Sequence, residues 1–487
     1  MSSSGLFARW RFVLSGSVLL FALLVRFVVR DLHGYDEKRG TFSNWDGEVT
    51  FRPLVYLTPH SEEELADYVR HRYEQDGYAS IRAVGTGLSW SPLCHTNDTL
   101  VSLDQLDRVL GVDEAAGTVT VEAGAKITDL TKYLTKMNMA LPNTGVITAQ
   151  SVGGALSTGT RGTGLDVPIL SMAVLELRMV IGNGTVISCS KDENPDCFAA
   201  GRVGLGALGI ITSATLQCRK TPPAMKRQKT FLHVDEAMAR LPAMIASASE
   251  GRVTVSAFPG GNSSHVLVTT WNAVDGPVRS HNALEAIILS ALRRLTSLVN
   301  QLQPYVPGWF EHLQMWAATK VILAGDQGDT LEWHDSLRLF PVPILPWIDS
   351  EIEMHMPSEA GTEVYPEMLA LLSHPTAFNS RWNSVLYMRY AAADDIWLSP
   401  CYQRKCVSVL LSLSWKRGVF MDVAERVQRD LSERYGAKPH WGKINTMFGN
   451  DLGRLYPRWD DFWSLQRELD PKQLFMNDYL RQLRDGG

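Results

Sequence analysis

Gln150–Gly164 reads QSVGGALSTGTRGTG, with Gly153, Gly154, Gly159, Gly162 and Gly164 set among Ser157, Thr158, Thr160 and Thr163. Glycine inside a helix or strand costs roughly 0.5–1 kcal/mol relative to alanine, so a run this dense is expected to lie outside ordinary helix or strand. Bare backbone suits close approach, bringing N–H groups up to a ligand with the interleaved hydroxyls as further donors. A phosphate-bearing cofactor fits such a surface. A plain glycine-rich surface loop is the alternative, unless a second such loop lies nearby.

Two further loops do occur, Val84–Pro92 (VGTGLSWSP) and Val203–Ile211 (VGLGALGII). The second contains a formal GxGxxG at Gly204–Gly209, but a dinucleotide fingerprint needs a strand before it and a helix after it. Here a helix-like piece, Asp196–Gly201, precedes and the β-branched run Ile210–Cys218 follows, with no acidic ribose partner about twenty residues on. The nicotinamide reading therefore fails. All three loops abut strands, and together they are suited to wrap a pyrophosphate and a flat ring system.

The rest of the first half alternates. Ser61–Asp76 opens on a Ser-Glu-Glu-Glu capping pattern and reads as a helix. Tyr78–Val84, Thr99–Leu103, Thr118–Ala123, Leu170–Val180 and Val186–Cys189 read as strands, and Ile127–Lys136 as a second amphipathic helix. Gly182-Asn-Gly184 is the turn of a hairpin. After Pro222–Pro223 glycines thin out and tryptophans increase; His281–Leu323 is mainly helical, as a core helix or a membrane-surface pair, and Met421–Tyr435 is a helix. The fold class is α+β. The expected divisions are an anchor or signal over 1–33, a cofactor domain over 34–220, a cap domain over 221–435, and a C-terminal segment over 436–487.

With 45% hydrophobic residues the chain has enough apolar material for sizeable cores, and its net charge of -5 gives no bulk attraction to nucleic acid. Phe12–Val25 (FVLSGSVLLFALLV) is apolar between Arg9, Arg11 and Arg26. It is shorter than the roughly 20 residues a spanning helix prefers, extends if Arg26 snorkels, and lacks a small-residue cleavage site. An uncleaved membrane anchor is preferred over a signal peptide. None of the six cysteines forms a C-x-x-C pair, and no metal site is expected; buried thiols are the preferred reading, with a disulfide open in an oxidising lumen. Sequons stand at Asn97, Asn183 and Asn262.

The three loops resemble the FAD-binding domain of the vanillyl-alcohol-oxidase-type flavoproteins, a two-subdomain fold followed by an α+β cap. The words Ala392–Arg404 (AADDIWLSPCYQR), His440-Trp-Gly-Lys443 and Leu469-Asp-Pro…Phe475-Met-Asn477-Asp-Tyr-Leu480 are similar to those of the aldonolactone oxidases. That resemblance implies FAD held by Val84, Gly85, Thr86, Gly87, Leu88, Ser89, Thr144, Gly145, Ser151, Gly153, Gly154, Ser157, Thr158, Gly159, Thr160, Arg161, Gly162, Gly209, Ile210 and Ile211. It implies oxidation of a sugar lactone at its C2 hydroxyl, with O2 accepting the electrons and H2O2 formed. Leu88 stands where many members carry the flavin-linking histidine, which implies non-covalent FAD. Gly145 stands where the plant dehydrogenase has alanine, which implies open oxygen access. Lys443 matches a lysine facing flavin N1 and C2=O. Arg389 matches the arginine that binds the lactone oxygens.

The chain departs from the pattern at Tyr387, where the family usually has glutamate, and at Arg161, where relatives usually have histidine. Tyrosine, with an ordinary pKa near 10, is a poor base at neutral pH. Asp394, Asp395 and His440 are unranked stand-ins for the proton acceptor. Arg161 either forms a salt bridge on the outer side of its loop or points inward as a second cation beside Lys443. A polyol or sugar oxidase, a dehydrogenase using another acceptor, and a flavin-binding membrane protein without turnover are the competing functions. Localisation at the endoplasmic reticulum membrane is expected, with a mitochondrial membrane as the alternative.

Overall fold

The computed structural model describes residues 34–75, 80–222, 224–257, 264–275, 330–331, 350–373, 384–413 and 417–486. Phe12–Val25 and the 281–323 segment lie outside them. Among the described residues, no helix is long and apolar enough to cross a membrane.

The first half is built on two main sheets. Strands β1 (Val55–Leu57), β2 (Ile81–Val84) and β3 (Thr99–Ser102) form a parallel sheet in the order β1-β3-β2. Helix α1 (Glu62–Glu74) makes the crossover from β1; Ser61 accepts from the Glu64 N–H at 3.2 Å while Glu64 reaches back to the His60 N–H at 2.8 Å. Strands β4 (Val109–Asp113), β5 (Thr118–Glu122), β6 (Val174–Val180), β7 (Val186–Ser190) and β8 (Ile210–Gln217) form an antiparallel sheet, ordered β7-β6-β8-β5-β4. Helices α2 (Ile127–Lys136), α3 (Val152–Ser157) and α4 (Pro195–Gly201) pack on these sheets around one apolar core.

Helix α3 corrects the expectation that the glycine run avoids regular structure. Ser151 caps it by accepting from the Gly154 N–H. A Cβ on Gly153 would meet Ala123 Cβ at 3.0 Å, so the missing side chain lets the helix rest directly on the end of β5. Close packing offsets the propensity cost.

The second half is built on one eight-stranded antiparallel sheet. Its strands are β9 (Met225–His233), β10 (Val253–Ala257), β11 (His265–Ala273), β12 (Thr330–Leu331), β13 (Ser350–Pro357), β14 (Ser384–Ala391), β15 (Cys406–Leu413) and β16 (Lys438–Pro439), ordered β12-β9-β11-β10-β14-β15-β13-β16. Helices α5 (Val234–Ser247), α6 (Gly361–Ser373) and α7 (Arg417–Tyr435) pack against it. The C-terminal helices α8 (Asn450–Leu455), α9 (Trp459–Leu469) and α10 (Asp478–Asp485) lead back to the first half. There Arg82, 2% exposed, donates to the carbonyls of Leu93, Leu205, Gly206 and Phe475, tying three chain segments to β2.

The cysteines also differ from the preferred reading of free thiols. Cys189 pairs with Cys197, and Cys401 with Cys406, leaving Cys94 and Cys218 free. A hairpin strand facing a helix, and the two ends of one tight loop, bring together residues whose spacing matches no metal motif.

Candidate active site

The three glycine-bearing loops meet. The Thr86 hydroxyl donates to Ala149 O at 2.8 Å, and the Leu205 N–H donates to Ser157 O at 3.2 Å. Gly85 lies so close to Ser151 that an added Cβ would come within 2.9 Å of the serine Cβ. The hydroxyls, expected to face a ligand, are engaged inside the fold. Ser157 and Thr158 donate to the carbonyls of Gly153 and Gly154, and Thr163 donates to Val253 O. Thr160 accepts from Gln150.

What remains for a ligand in these loops is mostly backbone. The N–H groups of Gly85, Thr86, Gly87, Leu88 and Ser89 donate to no atom among the described residues. Gly87, at φ +69°, turns the chain through the left-handed region. Successive N–H groups around such a turn make an anion-binding concavity. This nest fits a pyrophosphate, so the residues present suit FAD. Thr144 and Gly145 are buried, and Gly162 packs against Asn143 and Thr144 O so closely that an added Cβ would come under 3 Å from each. Gly209 packs on Val180 O, and Ile210 and Ile211 start β8, both buried.

The second component is one face of the large sheet. Opposed residues in antiparallel strands share a face, as do alternate residues along each strand. The register sets Val385, Ser412 and Glu351 in one row, Tyr387, Leu410 and Glu353 in the next, and Arg389, Ser408 and His355 in a third. The chain after β16 runs beside β13, with His440 N–H on Glu353 O and Ile444 N–H on Glu351 O, both 2.9 Å. That places His440 and Lys443 over the same face.

At its centre lies Glu353, fully buried. Its Oε1 accepts from Arg161 Nη2 and Arg389 Nη2, each at 2.7 Å, and from the Ser408 hydroxyl at 2.6 Å. Arg161 also donates to His355 Nε2 at 2.9 Å and to Ser408. Arg389 donates to Arg161 O at 3.1 Å. Arg161 does form a salt bridge, but not on the outer side of its loop: its side chain is 1% exposed and pairs with Glu353. Lys443 pairs with Glu351, and its Nζ sits 3.7 Å from the Trp90 ring centroid, joining the sheet face to the first loop.

The electrostatics follow from burial and these pairings. Burial alone would push the Glu353 carboxyl up, but Arg389 and Arg161 outweigh it and hold the group well below the ordinary range. Burial lowers Arg161 to about 9, whereas Glu353 outweighs the same effect at Arg389 and raises it. Burial and surrounding cations push His440 down to about 3 and His355 well below its usual value. Both rings are therefore neutral. His440 Nδ1 accepts the Gly442 N–H at 3.0 Å, which leaves its proton on Nε2. It is a donor in this state. His355 Nε2 accepts from Arg161, so its proton sits on Nδ1, facing Lys438 O at 3.4 Å. Burial raises the Tyr387 phenol further, against the pull of nearby Arg389.

The two aspartates considered as stand-ins are engaged elsewhere. Asp394 accepts from the Ser399 hydroxyl at 2.5 Å and the Ile396 N–H at 3.1 Å, closing its own loop. Asp395 pairs with Arg202 at 2.7 Å. Sequence reading missed the carboxylates the fold does bring in, Glu351 and Glu353. Their signal was present: Glu351-Ile-Glu353-Met-His355 puts a titratable group at every second position of an otherwise apolar strand.

A model of the FAD binding domain matches residues 53–190, and a model of D-arabinono-1,4-lactone oxidase matches residues 214–483, more than half of the chain. The chain belongs to the aldonolactone oxidase family. It is 28% identical to L-gulono-1,4-lactone dehydrogenase of Mycobacterium tuberculosis over 91% of this chain and 98% of the relative. It is 27% identical to L-gulonolactone oxidase of Mus musculus over 93% and 99%. Its fold is that of cholesterol oxidase from B. sterolicum, at a TM-score of 0.71 with 16% identity over 91% of this chain and 96% of that one. As an aldonolactone oxidase family member it is an FAD-dependent oxidoreductase. The N–H nest and Arg161 lie in the first matched region, and Glu353, Arg389, His440 and Lys443 lie in the second.

Proposed function

We propose that this enzyme oxidises an aldono-1,4-lactone at its C2 hydroxyl and passes the electrons to O2. The carrying observation is the meeting of Arg389, Lys443 and the first loop on one sheet face. FAD, when bound, supplies the two-electron acceptor. The N–H groups of Gly85–Ser89 hold its pyrophosphate, Leu88 leaves it without a covalent link, and Gly145 leaves the oxygen path open. Lys443 sets a fixed cation where negative charge collects, a contribution of several kcal/mol in a preorganised site. Arg389 binds the lactone oxygens through its planar fork, and His440 donates from Nε2. Tyr387, buried on the same face and its phenol raised by burial, narrows it without acting as a base.

The deciding experiment is anaerobic bleaching of the purified holoenzyme by L-gulono-, L-galactono- and D-arabinono-1,4-lactone, with xylitol and sorbitol alongside. Bleaching by a lactone, followed by reoxidation in air with H2O2 formed, supports the reading. Bleaching by polyols alone moves the substrate class, as the change at Tyr387 would favour. Slow reoxidation by air with fast reoxidation by a dye makes it a dehydrogenase, the activity named for the mycobacterial relative. Bleaching by none sinks the catalytic reading.

For localisation we propose an endoplasmic reticulum membrane with the catalytic part in the lumen. Two disulfides suit an oxidising compartment, and the sequon residues Asn97 and Asn183 are exposed. A membrane fraction without glycosidase-sensitive mobility at these sites counts against it.

A further inference from the structure

The ion cluster leaves an acceptor and a donor over. Glu353 Oε1 takes three hydrogen bonds, yet Glu353 Oε2 is buried with no partner among the described residues. Arg389 commits Nη1 and Nη2 to Arg161 O and Glu353, yet its Nε is likewise buried and unpartnered. Leaving such atoms unmatched costs about 1–3 kcal/mol each, more for charged groups, so a buried acceptor and donor of one ion pair mark a place where a ligand or a water completes the bonding. The two belong to one ion pair on the sheet face that also holds Lys443 and His440. An acceptor beside a donor is the complement of a hydroxyl next to a carbonyl or ring oxygen.

We propose that Glu353 is a substrate-contacting residue: its Oε2 accepts the hydrogen bond of the lactone C2 hydroxyl while Arg389 Nε donates to the neighbouring oxygen. The assignment rests on the lactone reading above and adds the carboxylate that position 387 lacks. Tyr387 and Glu353 stand in the same row of the sheet, separated by Leu410 on the strand between them. A carboxylate missing from β14 is thus available from β13 on the same face. Two arginines keep Glu353 ionised, so it has no proton to give. It accepts from an alcohol and offers nothing to a carbonyl oxygen. That asymmetry favours the C2 alcohol over the oxidised carbon.

The test compares binding of the lactone that the enzyme turns over with binding of its 2-deoxy analogue. Isothermal titration uses the chemically reduced holoenzyme, which cannot oxidise either ligand. A hydrogen bond to a charged acceptor implies that wild type binds the 2-deoxy analogue roughly 10- to 100-fold more weakly than the lactone. In Glu353→Gln the amide turns one oxygen into a donor, and the two ligands should bind within about twofold of each other. If Glu353→Gln weakens both ligands in parallel and keeps the wild-type ratio, Glu353 acts only through the fold and the proposal is overturned. Should that variant be insoluble, Glu353→Asp keeps the charge, withdraws Oε2, and is read by the same ratio. Absence of turnover of any lactone by wild type sinks the substrate reading and this assignment with it. A wild type that turns over lactone without discriminating against the 2-deoxy analogue sinks this assignment alone.

Discussion

Removing Arg161 tests whether the glycine-rich loop and the large sheet are bolted together by charge. Its guanidinium donates to Glu353, His355, Ser408 and Gly162 O from a position 1% exposed. Arg161→Met strips Glu353 of one of two cations and leaves His355 Nε2 an acceptor without a donor. Breaking a buried pair from one side costs about 3–5 kcal/mol. Arg389 stays on the same carboxylate oxygen, so the low end, about 3 kcal/mol, is expected. Urea unfolding of the holoenzyme at pH 7, followed by tryptophan fluorescence, measures it. Glu353→Gln alone leaves two buried guanidiniums facing each other without an anion. The double variant carries only one, and should therefore be less destabilised than the sum of the singles by about 2 kcal/mol, within the range for residues in contact. A loss under about 1 kcal/mol in Arg161→Met would match an exposed surface pair and refute the bolt. So would additivity of the two changes within about 0.5 kcal/mol.

Three further outcomes follow from the geometry. Acid precipitation should free the flavin from the chain, because Leu88 carries no nucleophilic atom; flavin that stays with the pellet would overturn the non-covalent assignment. The folded His440 pKa, lowered to about 3, lies below its ordinary value, so the unfolded chain takes up the proton first as pH falls from about 6.5 toward 3. Stability present above pH 6.5 is then lost on acidification by up to about 1.4 kcal/mol per pH unit from this residue, and His440→Gln should flatten the slope by that amount; an unchanged slope counts against a buried neutral ring. A Cβ at Gly145 would press on Thr160 Cγ2 at 2.7 Å and Gln150 Oε1 at 2.8 Å, parting a hydrogen-bonded pair. Gly145→Ala should therefore lose some stability, about 1–3 kcal/mol by overpacking, and lose O2 turnover more than dye turnover. An equal fall in both removes the oxygen-access argument.

The elements of the first half were legible because their signals are local. The span Ile127–Lys136 is matched residue for residue, and the Gly182–Gly184 turn sits where expected between β6 and β7. Meeting of the three loops was legible too, since each abuts a strand end. The use of their residues was not. Serine and threonine readily bond to backbone a turn away, and here Ser157 and Thr158 do so, each four residues back. The donors left for a ligand are peptide N–H groups of Gly85–Ser89, which carry no residue-type signature.

The site's charges were hidden for a different reason. Arg161 and Glu353 are 192 residues apart, and they meet because the end of the glycine-rich loop is held on the sheet by the Gly164 N–H on Tyr390 O and the Thr163 hydroxyl on Val253 O. A missing glutamate at 387 therefore looks, along the chain, like a lost acid–base group. Across the sheet, Tyr387 shares its row with the carboxylate of Glu353, from which the proposed contact is made. Arg161 acts on the same cluster: with two cations on Glu353, the carboxylate stays ionised although it is fully buried, and a neutral His355 remains to accept from Arg161. Arg161 and Tyr387, which read as separate features along the chain, thus lie against a single cluster around Glu353 and Arg389. Arg161→His would take one cation away from Glu353. Tyr387→Glu would set a second carboxylate beside Arg389, whose guanidinium now lies 5.5 Å from the Tyr387 ring centroid. Made together, the two substitutions would leave Arg389 as the one arginine serving two carboxylates, so the effect of each depends on the other.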